Sequence, residues 1–236
     1  MHRPANVARR SRTGHRVRYV VSVSHESERA AIIEVGRLLD QKGLVTATQG
    51  NISVRVENGH LVTASGVNKG SLTPGQLIFI DHEGRKPASG PAVSSEDTMH
   101  EAIYRRRKDV TAVIHAHPPF ATAFAVARVP LDSRILAEAV VVLGTIPLTR
   151  YATPGTAELA NIVAEGLANG NAALLANHGA ITVGQTLTQA HHRMETLEHV
   201  ARVAVMARLL GGSRELSPSD VDRLLGSTSG PYRWPR

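Results

Sequence analysis

Hydrophobic residues follow two different spacings along this chain, and the spacing changes several times. From Ser27 onward, apolar residues recur at steps of three and four, which predicts an amphipathic helix, and Gly43 suits the end of that helix. Apolar and polar residues then alternate over residues 52–56, which predicts a strand. Asn58-Gly59 predicts a hairpin turn into a second strand. The regular structure therefore begins with a helix followed by a strand pair.

Short apolar runs and helical stretches alternate through the rest of the chain. Ser94-Ser95-Glu96 supplies an N-cap and an acidic residue for a helix start, and Pro118 starts another helix. Hairpin-type joins are frequent, so we expect an α/β domain with a mixed sheet and helices on both faces rather than a purely parallel sheet. Further strands are predicted at residues 77–80, 110–115, 139–143, 146–149, 172–176 and 180–183, and further helices at 156–167, 187–210 and 220–225.

Composition narrows the class of protein. The chain has 236 residues, of which 42% are hydrophobic and 20% charged, and it has no cysteine. These proportions are typical of a soluble globular protein, and no apolar run reaches the ~20 residues that a membrane helix needs. The lack of cysteine excludes disulfides, thiolate nucleophiles and Cys-ligated metals, so a metal here requires His, Asp or Glu ligands. We expect a cytoplasmic protein that does not bind membranes.

The basic character of the chain belongs to its N-terminal end. The formal net charge is +7, and residues 1–18 hold six arginines and no acid, so the other 218 residues are close to neutral. We interpret residues 1–24 as a flexible basic arm in solvent rather than a nucleic-acid tether, and we do not expect a nucleic-acid partner. Residues 25–212 are expected to form one domain, followed by a C-terminal helix and tail over residues 213–236.

Three histidines and one glutamate are candidates for chemistry. His115 and His117 are separated by one residue at the end of a predicted strand, so both side chains point to one face and can converge on one cation. His178 stands between two apolar strand segments, and the glycine after it permits an unusual backbone or a close approach. Each histidine taken singly could equally be hydrogen-bonded without a metal, and Glu96 could serve only the charge of its helix end.

Glycine and small polar side chains occur together in three segments, as in loops that bind anions. These segments are residues 48–53, 63–66 and 94–95, and Thr48 is the least certain member. No Walker pattern and no G-x-G-x-x-G is present, so we expect a phosphate held by hydroxyls and amides. Taken singly, each segment could be an ordinary turn. Lys69 could reach such a phosphate, but we interpret it as a solvated loop lysine.

The motifs taken together resemble the class II aldolase/adducin-head family. They occur in the order and at the spacing typical of that family and span about residues 27–210. The resemblance implies a single three-layer α/β/α domain with a mostly antiparallel central sheet, and a homotetramer with active sites between subunits. The motifs are Gly50-Asn51-Ile52-Ser53, Thr63-Ala64-Ser65-Gly66, Ser94-Ser95-Glu96, His115-Ala116-His117-Pro118, Tyr151-Ala152-Thr153-Pro154-Gly155-Thr156 and Asn177-His178-Gly179.

The family's functional residues carry over to matching positions of this chain. His115, His117 and His178 are the implied ligands of a divalent cation, usually Zn²⁺, with Mn²⁺, Co²⁺ or Fe²⁺ as alternatives. Glu96 is the implied general acid/base and can ligate the metal when substrate is absent. The residues implied to bind the substrate phosphate are Gly50, Asn51, Ser65, Gly66, Ser94 and Ser95.

The implied activity is that of a metal-dependent aldolase, a carbon–carbon lyase. It would cleave a ketose 1-phosphate of the fuculose 1-phosphate type to dihydroxyacetone phosphate and an aldehyde through a metal-stabilised enediolate. Glutamate rather than aspartate at position 96 favours an aldolase over a 4-epimerase. Leu136 stands where the fuculose enzyme has a proton-donating tyrosine from a neighbouring subunit, with Glu138 close by. A sugar-phosphate epimerase, dehydratase or decarboxylase of the family, and a non-catalytic adducin-like scaffold, therefore remain alternatives.

Overall fold

The computed structural model describes residues 25–226 as seven α-helices and one seven-stranded sheet. The basic arm expected at residues 1–24 and the last ten residues of the expected tail lie outside the described residues. The helices are α1 (Glu26–Gln41), α2 (Asp97–Arg106), α3 (Pro119–Ala127), α4 (Ala137–Leu143), α5 (Ala157–Gly166), α6 (Leu187–Leu209) and α7 (Pro218–Gly226). The strands are β1 (Asn51–Val56), β2 (Gly59–Thr63), β3 (Leu77–Asp81), β4 (Ala112–Ala116), β5 (Leu148–Thr149), β6 (Ala172–Leu175) and β7 (Gly179–Gly184).

The sheet has the strand order β3-β2-β1-β4-β7-β6-β5, with β4 at its centre. Five neighbouring pairs run antiparallel, and the edge strand β5 pairs parallel with β6. The α/β class and the mixed sheet expected from the hairpin-type joins are confirmed. The description as a mostly antiparallel sheet is corrected to a mixed one. Helix α5 connects β5 to β6 as a crossover rather than a hairpin, so these two strands pair parallel.

Side chains of the central strand alternate between two hydrophobic clusters. Ala112 and Ile114 of β4 belong to a large cluster that includes residues of α1, α3, α4 and α6. Val113, between them, belongs to a second cluster with residues of α2 and α5. Successive side chains of a strand point to opposite faces, so helices cover both faces of the sheet.

One predicted strand is wrong. Residues 139–143 form most of α4, and only Leu148–Thr149 of the second predicted strand pairs in the sheet. Ala139, Val140 and Leu143 are buried while Val141 and Val142 are partly exposed, which is helical spacing. The run is apolar at every position, so its sequence carries no periodicity that separates a buried strand from a short helix.

None of the helices among residues 25–226 is long and apolar enough to cross a membrane.

Candidate functional site

Three imidazoles meet where the central strand ends. His115 lies on β4 opposite Asn51 of β1 and Ile181 of β7, and His117 follows the end of the strand. His178 comes from the tight turn between β6 and β7, which Asn177 makes possible by adopting a left-handed backbone at φ 56°. Since β4 and β7 are neighbours, this turn carries His178 to the His115–His117 pair.

The distances between the three rings fit one shared cation. Their centroids lie 4.6–5.0 Å apart, and one nitrogen from each ring lies within 4.8 Å of the others. The Nε2 atoms of His115 and His117 are 3.1 Å apart. Two nitrogens bound tetrahedrally to one zinc at 2.0–2.1 Å would lie about 3.3 Å apart. The three histidines predicted as ligands are therefore brought together in an arrangement that a divalent cation can use.

The chemistry of the donor set also suits a metal. Nδ1 of His115 lies 2.9 Å from the carbonyl oxygen of Ala180, so it donates there and leaves the Nε2 lone pair facing the other rings. Burial lowers the pKa of His115 to about 3 and that of His117 to about 4, so both rings are neutral at neutral pH, as metal ligands must be.

Glu96 lies beside the imidazoles and is held by several polar groups. It precedes α2, and its Oε1 lies 3.0 Å from Nε2 of His178 while its Oε2 lies 3.6 Å from Nε2 of His115. The Asn51 side-chain amide donates to Oε2 at 2.8 Å. Burial by itself raises the pKa of Glu96. The hydrogen bond with His178, the electrostatic effect of His115 and His178 in their protonated forms and the Asn51 amide outweigh burial and lower that pKa.

The three predicted phosphate-binding segments converge next to Glu96. Nδ2 of Asn51 lies 3.4 Å from the hydroxyl of Ser94, which also accepts from the Glu96 amide at 3.3 Å. The Ser65 amide donates to the Ala92 carbonyl at 2.8 Å, which joins the second segment to the residues just before the third. We call this group of segments, residues 48–53, 63–67 and 92–95, the cradle. Its six predicted ligands, Gly50, Asn51, Ser65, Gly66, Ser94 and Ser95, lie in these segments.

Gly50 shows why glycine is required at the cradle. Its φ is 72°, in the left-handed region, and a Cβ there would lie 2.6 Å from the carbonyl oxygen of His115. The first segment therefore presses directly on the strand that carries the histidine. Gly155 belongs to the motif at residues 151–156, and a Cβ there would lie 3.0 Å from Cβ and Oγ of Ser95.

The interpretation of Lys69 as a solvated loop residue is wrong. Lys69 is 1% exposed, and its Nζ donates to the carbonyl oxygens of Thr48 at 3.0 Å and Val67 at 2.7 Å. Burial lowers its pKa to about 8. The signal available in the sequence is the pair Gly36 and Gly70, whose missing side chains let α1 and the turn around Lys69 approach closely.

Leu136 lies at the N-terminus of α4, partly buried against the larger hydrophobic cluster. The neighbouring Glu138 is exposed in the first turn of that helix. Within the described chain, neither side chain is bonded to the histidines or to Glu96.

Comparison with known proteins agrees with the motifs and the fold. The family model described as Class II Aldolase and Adducin N-terminal domain matches residues 30–205. A 5-methylthioribulose-1-phosphate/5-deoxyribulose-1-phosphate aldolase from Rhodospirillum rubrum is 34% identical over 202 residues, which cover 84% of this chain and 89% of that protein. A 3-oxo-tetronate 4-phosphate decarboxylase from Escherichia coli O6:H1 is 33% identical over 184 residues, covering 75% and 86%.

A solved structure described as L-fuculose 1-phosphate aldolase superimposes with a TM-score of 0.80 and 29% identity. The match covers 86% of this chain and 96% of the other. The aldolases among these relatives are lyases. The agreement of motifs, family model and fold shows that this chain belongs to the class II aldolase and adducin N-terminal domain family.

Proposed function

We propose that this protein is a metal-dependent class II aldolase that cleaves a ketose 1-phosphate to dihydroxyacetone phosphate and an aldehyde. The observation that supports this most is the meeting of three imidazole nitrogens and one carboxylate beside the neutral cradle. Relatives named as ketose 1-phosphate aldolases support the substrate class. A substrate of the fuculose 1-phosphate type is our first choice.

His115, His117 and His178 would hold the cation, with Glu96 as an additional ligand when substrate is absent. We propose Zn²⁺, for which three histidine ligands and an open position are typical, with Mn²⁺, Co²⁺ or Fe²⁺ as alternatives. A divalent cation bound there supplies Lewis-acid stabilisation of the negative charge that develops on the substrate oxygens during cleavage.

Glu96 is proposed to move the proton at the reacting carbon. In cleavage, the bond between C3 and C4 breaks, its electrons stay with C3, and the hydroxyl on C4 passes its proton to the ionised Glu96 carboxylate as the aldehyde forms. Glu96 then delivers that proton to C3, and in the reverse direction it removes one from C3 and returns it to the oxygen on C4. The Asn51 amide and His178 fix the carboxylate in place, so its position is set before substrate arrives.

The cradle is proposed to bind the phosphate on C1. Gly50, Asn51, Ser65, Gly66, Ser94 and Ser95 offer amides and hydroxyls, and Ser94 lies within hydrogen-bond distance of the Asn51 side chain that also holds Glu96. Phosphate binding therefore fixes the distance between the substrate's C3 and the carboxylate. This coupling supplies the orientation that a reaction of this kind requires.

Release of dihydroxyacetone phosphate from a panel of ketose 1-phosphates tests the proposal. The metal-loaded wild type is expected to cleave at least one of them, a chelator is expected to abolish cleavage, and restored metal is expected to recover it. His178→Ala should lose both bound metal and activity, whereas the exposed His199→Ala should keep both. If metal-loaded protein cleaves no ketose 1-phosphate, the aldolase proposal is wrong.

Decarboxylation of a 3-oxo acid phosphate is the second candidate. It is supported by the relative named 3-oxo-tetronate 4-phosphate decarboxylase and by Leu136, since the family tyrosine is missing at that position. Product analysis by ¹³C NMR separates the candidates: an aldolase yields two carbon fragments, a decarboxylase yields carbon dioxide, and an epimerase or dehydratase yields one product. A non-catalytic scaffold yields none.

The remaining features of the proposal concern the whole protein. We propose a cytoplasmic homotetramer with active sites between subunits, built from a domain over residues 25–212 with a basic arm before it and a helical tail after it. Light scattering coupled to size-exclusion chromatography measures the assembly, and a monomer that retains full activity would contradict it.

A further inference from the structure

Lys69 is a buried cation with two hydrogen bonds to carbonyl oxygens. Its Nζ donates to Thr48 and Val67, and among the described residues the negative charge that acts on it is that of Glu96, which makes no direct ion pair with it. Removing an ammonium group from water is costly unless nearby groups compensate for the loss of solvation. The two carbonyl groups satisfy hydrogen bonds without a formal charge, and the more distant Glu96 compensates only part of the cost of burial, so this position favours a further negatively charged ligand.

The two carbonyls belong to two different segments of the cradle. Thr48 lies two residues before Gly50, and Val67 directly follows Gly66. The ammonium therefore connects the segments that carry four of the six predicted phosphate ligands. All six of these ligands are neutral groups, whereas a phosphate monoester carries about −1.5 to −2 charge at pH 7. Lys69 places a positive charge directly behind the segments that carry these ligands.

Packing against α1 fixes the backbone at Lys69. A Cβ on Gly36 would lie 2.5 Å from the carbonyl oxygen of Lys69, so the turn and the helix are in direct contact. The Asn68 side chain accepts from the Gly70 amide at 2.8 Å and donates to the Ala47 carbonyl at 3.1 Å. Asn68 and Lys69 therefore join the turn to residues 47–48 by hydrogen bonds, and these bonds fix the turn relative to the first segment of the cradle.

We propose that Lys69 is a positioning residue for the substrate phosphate, whose ammonium holds residues 48–50 and 65–67 at the spacing the phosphate needs and supplies the positive charge behind them. This inference rests on the proposed function for the identity of the phosphate as part of a sugar phosphate. It assigns recognition of the phosphate's negative charge to a lysine outside the family motifs named above.

The test uses three substitutions at Lys69 in the metal-loaded protein. Lys69→Met removes the charge and the donors, Lys69→Gln keeps a donor without the charge, and Lys69→Arg keeps the charge. The exposed Lys108→Met is the matched control. The readouts are the dissociation constant of inorganic phosphate by calorimetry, kcat and KM for a cleaved ketose 1-phosphate, kcat/KM for the same ketose without phosphate, and bound metal.

Lys69→Met and Lys69→Gln are expected to weaken inorganic phosphate binding and raise KM by about 10- to 100-fold, as for loss of a charged hydrogen-bonding group. Metal content, kcat and kcat/KM for the ketose without phosphate should change less than threefold, and Lys69→Arg should stay closer to wild type than either. A general structural defect would instead lower kcat/KM for both substrates equally.

The two proposals fail separately in this experiment. If the wild type binds inorganic phosphate through Lys69 but cleaves no ketose 1-phosphate, the proposed function is wrong and the role of Lys69 stands. If the wild type cleaves ketose 1-phosphates while a folded Lys69→Gln or Lys69→Met variant keeps wild-type KM and phosphate affinity, the inference about Lys69 is overturned.

Discussion

At the scale of single residues, Glu96 combines burial with several hydrogen-bonding and charged neighbours. Glu96→Gln keeps the shape of the side chain and an oxygen that can accept from Asn51, but the amide neither takes nor gives the proton. We expect kcat for aldol cleavage to fall by about 10²–10⁴-fold, the usual contribution of a positioned acid or base. Bound metal should remain, because the three imidazoles are unchanged.

The exposed Glu165→Gln is the matched control for this substitution and should keep the wild-type kcat. A Glu96→Gln enzyme whose kcat stays within threefold of wild type would show that another group moves the proton.

The sequence predicted the histidines and Glu96 better than it predicted Lys69, for a physical reason. His115 and His117 lie two positions apart on one strand, so their shared direction follows from local geometry. The environment of Lys69 depends on contact between α1 and a turn far along the chain, made possible by Gly36. Gly70 beside Lys69 is part of that contact, but a glycine next to a lysine is equally typical of a surface loop, so the sequence around Lys69 does not by itself predict burial.

At the scale of elements, the turn between β6 and β7 is as important to the site as the residue it carries. We expected Gly179 to allow either an unusual backbone or a close approach. Asn177, not Gly179, has the left-handed backbone, so the close approach explains the glycine. A Cβ on Gly179 would lie 2.6 Å from both the Ala116 carbonyl oxygen and Cδ2 of His117. The turn thus packs directly on one predicted ligand while presenting another.

Gly179→Ala is therefore expected to weaken metal binding without altering a ligand. The added methyl group must displace the His117 ring or separate β7 from the end of β4, and overpacking of this kind costs about 1–3 kcal/mol. We expect at least a tenfold loss of metal affinity, measured by competition with a chelator. Gly170→Ala, whose Cβ would meet no atom closer than 3.6 Å, is the control. Equal affinities in the two variants would contradict the role of this contact.

The error at α4 shows what local pattern cannot decide. The residues around Val140 are apolar without interruption, so the choice between strand and helix depends on what surrounds them. In the fold this segment lies against α6, outside the sheet, and the Val140 amide donates to the Leu136 carbonyl as a first helical bond. The strands β1 and β2 were predictable because alternation and an Asn-Gly turn are local signals.

Helix α2 is joined to β1 by a buried polar network that makes stability depend on pH. His100 is fully buried, and its Nδ1 lies 2.7 Å from the Ser53 hydroxyl, which is also 2.7 Å from the Tyr104 hydroxyl. Burial lowers the pKa of His100 from its ordinary 6.5 to about 4, although the charge of Asp97 raises it. The unfolded chain therefore takes up a proton near pH 6.5, while the folded protein resists it until about pH 4.

This difference should destabilise the protein in mild acid. The stability that depends on neutral His100 is fully present above pH 6.5 and is lost as the pH falls from 6.5 to 4, by about 3 kcal/mol in total. In metal-free protein, His100→Gln should flatten the fall in the free energy of unfolding over this range, measured by urea denaturation at both pH values. The exposed His82→Gln should keep the wild-type fall, and an unchanged slope in His100→Gln would contradict the assignment.

At the scale of the whole molecule, the candidate metal centre connects parts that lie far apart in the chain. The imidazoles come from the central strand, the residue after it and the turn between β6 and β7, and the carboxylate comes from the start of α2. Strand β4 contributes to both hydrophobic clusters, so groups held at its end are held by the packing on both faces of the sheet. A cation bound there would stabilise the folded chain and have no comparable site in the unfolded one.

Chelation is therefore expected to lower the melting temperature of the wild type. A metal present at 100 times its dissociation constant stabilises the folded state by about 2.7 kcal/mol, and about 2–4 °C accompany each kcal/mol in a protein of this size. The expected shift in Tm is roughly 5–10 °C by differential scanning fluorimetry, reversed when metal is restored. His178→Ala should melt at the same temperature with and without chelator, because two imidazoles alone bind the cation weakly. If chelation removes the bound metal from wild type and leaves Tm unchanged, the cation does not hold β4, the β6–β7 turn and α2 together, and its site must lie elsewhere.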